Sequence, residues 1–257
     1  MARDAWVKGD AYELYVGRWS TTVAHEFVGW LGLPADLRWL DAGCGTGALT
    51  AKVLELGRPR SVTGADPSEG FLAKARERVE GARFCVADAQ ALPFADNAFD
   101  VVVSGLALNF VPDPHRALSE FARVATTTAA YVWDYAQGMQ MMRHFWDAAI
   151  ELEPEASRLD EGMRFPICRP EPLRQKWIDA GFTGVEVEPI DVPTVFDDFD
   201  DYWSPFLGGQ GPAPGFAMSL SPERRDALRA LIRERLPFDA QGRIPLTARA
   251  WAVRGTR

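Results

Sequence analysis

The chain is predicted to be an α/β protein built on a mostly parallel sheet, and two observations support this. Short apolar runs alternate with helical patterns between residues 37 and 135, an order typical of strand–helix–strand units with right-handed crossovers. A glycine-rich turn, Leu40-Asp41-Ala42-Gly43-Cys44-Gly45-Thr46-Gly47, joins the first apolar run to a helical pattern. Such a turn lets backbone approach a ligand closely at the positive end of a helix.

The apolar runs and helical patterns give the expected elements in order. Strands are expected at 37–42, 61–65, 83–87, 99–104, 129–134, 183–192 and 247–254. Helices are expected near 47–56, 68–80, 114–124 and 172–180, and another from Ser221 and Pro222. Ser68 and Asp113 are predicted to cap two of these helices, and Pro114 occupies the first helical position of its helix. In the helix at 172–180, Trp177 and Ile178 are expected to face inward. Only a loop or a very short helix fits between the third and fourth strands.

The organisation is predicted to be a single domain over residues 1–257. Residues 1–36 form an N-terminal helical segment rich in aromatic residues, and 37–135 form the core. Two insertions, 136–170 and 193–247, are rich in aromatic residues and are expected to act as a lid over a substrate. The alternative is that their aromatic side chains only form a hydrophobic core.

Composition limits the classes of partner. The net charge is −8 and the basic residues are scattered, so binding to nucleic acid, which neutralises phosphates, is not expected. The sequence contains no run of 18 apolar residues, so no membrane span is expected. The N-terminal residues, Met-Ala-Arg-Asp-Ala-Trp and the polar residues that follow, lack the apolar core of a secretory signal. The three cysteines form no CxxC pair, and a cytoplasmic protein with reduced thiols is expected.

Two cofactors suit the glycine turn. Gly43, Gly45 and Ala48 satisfy the G-x-G-x-x-G/A pattern of dinucleotide-binding turns, and Asp66 has the spacing of an acidic residue that binds a ribose. The turn by itself therefore does not reject NAD. Three further features favour a different adenosine cofactor. They are Asp41 before the turn, Gly47 within it, and Asp88 directly after the third strand.

With these features the chain resembles class I S-adenosylmethionine-dependent methyltransferases, in the small-molecule branch typified by ubiquinone and menaquinone biosynthesis. The resemblance covers roughly 37–135 and rests on five motifs in order. They are Leu-Asp-Ala-Gly-Cys-Gly-Thr-Gly, Thr-Gly-Ala-Asp-Pro-Ser, Ala-Asp-Ala-Gln-Ala-Leu-Pro-Phe, Phe-Asp-Val-Val-Val-Ser and Val-Pro-Asp-Pro-His-Arg-Ala-Leu-Ser-Glu-Phe-Ala-Arg-Val. One departure is Ala125-Thr126-Thr127-Thr128-Ala129, where relatives often have a Pro-Gly-Gly turn.

The resemblance implies a Rossmann-like, doubly wound sheet of seven strands whose last strand runs antiparallel, and a set of cofactor-binding residues for S-adenosyl-L-methionine. Asp66, followed by Pro67, would accept both ribose hydroxyls, and Asp88 the adenine amino group, with the Ala89 amide near the ring. Asp41 would orient the turn and help hold the ammonium group, and Ser104 would lie at the floor of the site. The remaining implied residues are Gly43, Gly45 and Gly47 in the turn, with Tyr15 and Arg18 in the N-terminal segment.

The methyl acceptor is expected to be a small molecule whose nucleophilic atom the sequence leaves open. His144, Asp134 and Asn109 are candidates for a catalytic role. No metal-binding pattern is present in the sequence. Two other functional classes stay open, namely a non-catalytic cofactor binder or partner subunit, and a nicotinamide-dependent oxidoreductase.

Overall fold

The computed structural model describes residues 17–209 and 211–257, which form two compact units. The core unit comprises residues 20–132, 167–190 and 251–257. The aromatic unit comprises residues 17–19, 133–166, 191–209 and 211–250. Each unit is assembled from separate stretches of chain. The expectation of a single domain over 1–257 stays a prediction.

Seven strands form one sheet in the order β3-β2-β1-β4-β5-β7-β6. Their bounds are β1 Arg38–Ala42, β2 Ser61–Asp66, β3 Arg83–Val86, β4 Val101–Gly105, β5 Thr127–Trp133, β6 Thr183–Phe196 and β7 Ile244–Thr256. The pairings of β1 with β2, β2 with β3, β1 with β4, and β4 with β5 are parallel. The chain builds outward from β1 to β3 and then returns to place β4 on the other side of β1. This reversal is a topological switch point, where sheets of this kind bind ligands at the carboxyl ends of their strands.

The last strand runs antiparallel to β5, as the resemblance implied. The Arg257 N–H donates to the Thr126 carbonyl at one end, and the Asp134 N–H donates to the Arg249 carbonyl at the other, at 3.0 and 2.9 Å. Residue numbers rise along β5 while those of its partners fall, so the two directions are opposite. The predicted mixed, mostly parallel sheet is therefore confirmed.

Ten α-helices occur in the described ranges. They are α1 Ser20–Leu31, α2 Ala48–Leu56, α3 Glu69–Arg78, α4 Pro114–Val124, α5 Gln140–Leu152, α6 Glu161–Arg164, α7 Pro170–Asp179, α8 Phe199–Trp203, α9 Pro212–Ser219 and α10 Pro222–Arg235. None of the helices in 17–209 and 211–257 is long and apolar enough to cross a membrane.

The core unit follows its sequence pattern closely. In β4, Val101, Val102 and Val103 are buried, as expected for a parallel strand covered on both faces. The Ser68 hydroxyl accepts from the Phe71 N–H at the start of α3. Between β3 and β4 the described chain has no helix, which agrees with the predicted loop.

The aromatic unit is held together by ring contacts. Phe145 stacks on Phe206 with centroids 4.4 Å apart, and Trp19 meets Phe196 edge to face at 5.1 Å. The buried Tyr202 hydroxyl donates to the Met141 carbonyl at 2.8 Å. These rings therefore form a packed core. Their predicted second role, as a lid, stays a prediction.

Two local expectations need correction. Strand β6 continues to Phe196, beyond the predicted end at 192, and β7 begins at Ile244, so the insertion between them is shorter than 193–247. Pro193 lies within β6, and it is tolerated because β6 is the edge strand of the sheet, where a missing N–H costs no ladder bond. Ile178 in α7 is 47% exposed, whereas Trp177 is fully buried, because adjacent positions on a helix point in different directions.

Asp113→Ala should lower the free energy of unfolding by about 1 kcal/mol, because the Asp113 carboxylate caps α4. Its Oδ1 accepts from the Arg116 N–H at 3.1 Å. The measurement is urea denaturation followed by circular dichroism. Glu77→Ala, at an exposed position inside α3, serves as the control and should change stability by less than about 0.5 kcal/mol. Equal stability of the Asp113 variant and the wild type would contradict the capping role.

Candidate functional site

The turn between β1 and α2 is made of glycines that adopt left-handed backbone conformations. Gly43, Gly45 and Gly47 have φ of +78°, +54° and +90°. A Cβ atom would lie 2.6 Å from the Ala107 Cβ at Gly43, and 2.8 Å from the Val79 Cγ2 at Gly47. At Gly45 it would meet nothing within 4 Å. The outer two glycines are thus required by packing, while the middle one borders open space at the carboxyl end of β1.

Asp41 lies fully buried in β1, immediately before this turn. Its Oδ2 accepts from the Thr50 hydroxyl at 2.6 Å, and its Oδ1 is buried without a hydrogen-bond partner. Burial raises the pKa of Asp41 to about 7, the Thr50 hydrogen bond opposes this rise, and the nearby charge of Asp66 adds to it. A buried carboxylate oxygen without a hydrogen-bond partner lowers the stability of the fold, and it can accept a hydrogen bond from a bound ligand.

Asp66, at the end of β2, holds the turn from the neighbouring strand. Its Oδ2 accepts from the Gly45 N–H at 3.0 Å, and its Oδ1 accepts from the Ser68 N–H at 2.8 Å. Pro67, between Asp66 and Ser68, is exposed. Burial raises the pKa of Asp66, and these two hydrogen bonds partly offset the effect. Each carboxylate oxygen keeps one lone pair beyond the bond it makes.

Asp88 follows β3, one strand further out, and the Ala87 N–H beside it donates to the Asp66 carbonyl at 3.2 Å. The Asp88 side chain is exposed. Its carboxylate accepts from both the backbone N–H and the side-chain amide of Gln90. These hydrogen bonds, the backbone one first, lower the pKa of Asp88, so the group is a carboxylate and a pure acceptor at neutral pH. Ala89 is half-buried.

The end of β4 closes the opposite side of the turn. Ser104 is buried, and its Oγ would lie 3.9 Å from a Cβ at Gly43. Leu106, directly after the strand, has φ of +56°, a strained conformation that is often found beside binding sites. Asn109 is 7% exposed, and its Nδ2 has no hydrogen-bond partner.

The N-terminal candidates belong to the aromatic unit or lie outside the described residues. Tyr15 lies outside them. Arg18 makes two hydrogen bonds to the carboxylate of Asp201, at 2.8 and 3.2 Å, and its guanidinium lies 4.8 Å from the ring centroid of Trp19. The Arg18 guanidinium is therefore already paired with the Asp201 carboxylate. Binding of a cofactor carboxylate by Arg18 stays a prediction.

Asp134 and His144 also belong to the aromatic unit. The Asp134 carboxylate is buried and accepts from the Gln137 N–H at 3.0 Å, so it stabilises the turn after β5. His144 is half-buried, and this burial lowers its pKa; an imidazole that is neutral at pH 7 can accept a proton. No cluster of His, Cys, Asp and Glu placed to hold a metal ion occurs in the described part of the chain.

The core unit thus brings together most of the residues that the sequence singled out, namely Asp41, Gly43, Gly45, Gly47, Asp66 and Ser104, with Asp88 one strand away. Two further residues, Thr50 and Gln90, were not predicted. Thr50 is a fully buried hydroxyl in the first turn of α2, and its position nine residues after Asp41 gave no signal. Gln90 lies inside a recognised motif but carries no charge, so the sequence gave no reason to choose it.

Comparison with known proteins identifies methyltransferases as relatives of the segment that carries these residues. Residues 40–132 match the family model described as a methyltransferase domain. The demethylmenaquinone methyltransferase of Shouchella clausii is 44% identical over 92 residues, 34% of this chain and 39% of that protein. A 2-methyl-6-phytyl-1,4-hydroquinone methyltransferase of Oryza sativa is 39% identical over 98 residues, 35% of this chain and 28% of that protein. The chain thus matches less than half the length of these relatives.

Solved structures extend the similarity to nearly the whole fold. The YcgJ protein of a Bacillus species superposes with a TM-score of 0.59 at 17% identity, covering 92% of this chain and 98% of that one. The phosphoethanolamine N-methyltransferase 2 of Haemonchus contortus gives a TM-score of 0.58 at 17% identity, covering 96% of this chain and 56% of that one. The chain therefore shares its overall fold with these solved structures, and its residues 40–132 match the methyltransferase domain model.

The raised pKa of Asp41 predicts how stability varies with pH. Its folded pKa of about 7 exceeds the unfolded value of about 3.9, so folding takes up a proton between these values. This carboxyl therefore makes the free energy of unfolding fall as pH rises from about 4 to about 7, and has no further effect above that range. Asp41→Asn removes this contribution.

The test is urea denaturation of wild type and Asp41→Asn at several values between about pH 5 and about pH 8. The stability of the variant relative to wild type should increase with pH. Subtracting the two curves cancels the other titrating groups. A difference that stays constant over this range would show that Asp41 is ionised throughout.

Proposed function

We propose that the protein is an S-adenosylmethionine-dependent methyltransferase that acts on a small molecule. The observation that carries this proposal is the buried Asp41 carboxylate, whose Oδ1 has no partner. It stands beside a glycine turn that is open at Gly45. A cationic amino group close to this turn would give that oxygen its missing donor.

The other acidic residues suit the rest of the same cofactor. Asp66 has one lone pair left on each oxygen, the number needed for two ribose hydroxyls. Asp88 is ionised and exposed, so it can accept from an adenine amino group. The residues proposed to bind the cofactor in the core unit are Asp41, Gly43, Gly45, Gly47, Asp66, Pro67, Asp88, Ala89 and Ser104.

Methyl transfer from S-adenosylmethionine needs little acid–base catalysis by the protein. When bound, S-adenosylmethionine supplies a methyl group that is already activated by a positive sulfur. The residues of the chain then hold the acceptor in line and exclude water. Asn109, whose buried amide nitrogen has no hydrogen-bond partner, is suited to donate a hydrogen bond to an acceptor oxygen. Where a base is needed, the half-buried His144 is the better candidate, because the Asp134 carboxylate is engaged in a turn.

The acceptor is proposed to be a small molecule found in the cytoplasm. The names of the two relatives from Shouchella clausii and Oryza sativa give a menaquinone precursor and a hydroquinone as their substrates. Quinols are therefore the first acceptors to test. The net charge of −8 argues against a nucleic-acid substrate.

Asp66→Ala and Asp88→Ala should each weaken binding of S-adenosylhomocysteine by more than about tenfold, since each removes a charged acceptor from polar cofactor atoms. Calorimetry measures both affinities. Asp96→Ala, which removes an exposed carboxylate elsewhere in the core unit, is the control and should bind like wild type. Unchanged affinity in either variant would contradict the assigned role. If wild type bound NAD but not S-adenosylhomocysteine, the nicotinamide-dependent alternative would replace this proposal.

Asn109→Ala should lower kcat/KM for methyl transfer by about tenfold, through loss of one hydrogen bond to the acceptor. Its affinity for S-adenosylhomocysteine should stay within about twofold of wild type. The assay follows transfer of a labelled methyl group to a panel of phenols, quinols, amines and carbon acids. Cofactor binding without transfer to any acceptor would favour the non-catalytic alternative. Equal activity of the variant would remove Asn109 from the acceptor site.

A further inference from the structure

Gln90 connects the proposed adenine-binding carboxylate to the start of helix α4. Its Nε2 donates to Asp88 Oδ1 at 3.0 Å and to Oδ2 at 3.1 Å, and its backbone N–H donates to Oδ1 at 2.8 Å. On its other side, the Gln90 Oε1 accepts from the Asp113 N–H at 3.1 Å. Because one end of the amide meets a donor and the other an acceptor, only one orientation of the Gln90 amide satisfies both.

The backbone of Gln90 is fixed as well. Its carbonyl accepts from the Arg116 Nε at 2.9 Å. The cap of α4, Asp113, thus holds the Gln90 side chain, and Arg116 in the first turn holds its main chain. The Ala91 N–H donates to the Asp88 carbonyl at 2.9 Å, which closes a tight turn. Although Asp88 is exposed, its carboxylate is therefore held in one position.

The two oxygens of Asp88 differ in their remaining capacity. Oδ1 receives two N–H donors, one for each lone pair, whereas Oδ2 receives only the Nε2 donor that it shares with Oδ1. A carboxylate oxygen accepts about two hydrogen bonds. Oδ2 is thus the atom that is free to accept from a ligand.

We propose that Gln90 is a positioning residue that makes this site selective for 6-aminopurine over 6-oxopurine cofactors. By occupying Oδ1 and holding the carboxylate still, it presents Oδ2 as a fixed acceptor. A 6-amino group donates to that oxygen. A 6-oxo group presents lone pairs to it, so the two like partners repel and neither is satisfied. This inference rests on the proposed function, since it assumes that Asp88 meets the adenine.

The charge state of Asp88 supports the proposal. The hydrogen bonds from Gln90 lower the pKa of the Asp88 carboxyl below its ordinary acidic value. At neutral pH the group is a carboxylate, and a carboxylate has no proton to donate to a 6-oxo group. Without the Gln90 side-chain amide, only the backbone N–H of residue 90 would still hold Asp88, through Oδ1. The carboxylate would then be held less firmly and Oδ2 would share water, and an exposed carboxylate of that kind discriminates poorly.

The experiment compares S-adenosylhomocysteine with S-inosylhomocysteine, which differs only in its 6-oxo purine, by calorimetry on the full chain. Gln90→Met keeps the length of the side chain and removes the three hydrogen bonds of the amide, two to Asp88 and one from the Asp113 N–H. It should weaken S-adenosylhomocysteine binding by about threefold to tenfold, while the affinity for the inosine analogue changes by less than about twofold. The ratio of the two affinities therefore falls.

Gln175→Met is the matched control. Gln175 donates to Asp179 Oδ1 at 2.8 Å on the exposed face of α7 in the core unit, so this variant removes the same kind of bond away from the site. It should leave both affinities unchanged. Gln90→Glu is a second variant, which places a like charge against Asp88 and should also lower the ratio. Thermal unfolding of each variant verifies that it is folded.

The outcomes separate the inference from the function beneath it. If Gln90→Met weakens both ligands equally, Gln90 has only a structural role, and the inference is overturned. An unchanged ratio in both Gln90 variants overturns it as well, as does a wild type that binds the two ligands equally. If wild type binds neither ligand, the proposed function itself has failed, and the inference falls with it.

Discussion

The close approach of the backbone at Gly43 to the loop after β4 is the constraint on which the site depends. A side chain at Gly43 would lie 2.6 Å from the Ala107 Cβ, so only glycine lets β1 turn into α2 at this place. The turn must also fall where the strand order reverses between β1 and β4. Because of this, the carboxyl ends of β1, β2 and β4 contribute Asp41, Asp66 and Ser104 to one edge of the sheet.

The three carboxylates at this edge differ in burial and in hydrogen-bond partners, and each suits a different group of the ligand. Asp41 is fully buried, half satisfied and close to its point of titration at neutral pH, so it gains most from a cation. Asp66 is buried but bonded to two backbone N–H groups, which fix its plane while leaving acceptor capacity. Asp88 is exposed, and hydrogen bonds from Gln90 lower its pKa. Burial and hydrogen bonding, more than residue type, thus distinguish three side chains that look alike in the sequence.

The aromatic unit differs from the core unit in what stabilises it. Its rings pack on one another, and its ion pairs, such as Arg143 with Asp160, tie short helices together. A fully buried glutamate, Glu161, accepts from the Trp146 indole N–H, and burial raises its pKa to about 8. Such irregular segments vary easily between relatives, which agrees with matches that stop near residue 132.

The sequence by itself determined the order of strands and helices between residues 37 and 135, the glycine turn and the carboxylates around it, because apolar periodicity, caps and glycine requirements act locally. It did not predict the individual helices of the aromatic unit before Ser221, such as α5. It ended β6 at residue 192, although the strand continues to Phe196. It could not find Thr50 or Gln90. Only the tertiary structure decided that Asp41 is buried with one free oxygen and that Gln90 holds Asp88, because burial and hydrogen-bond partners come from strands and helices that are distant along the chain.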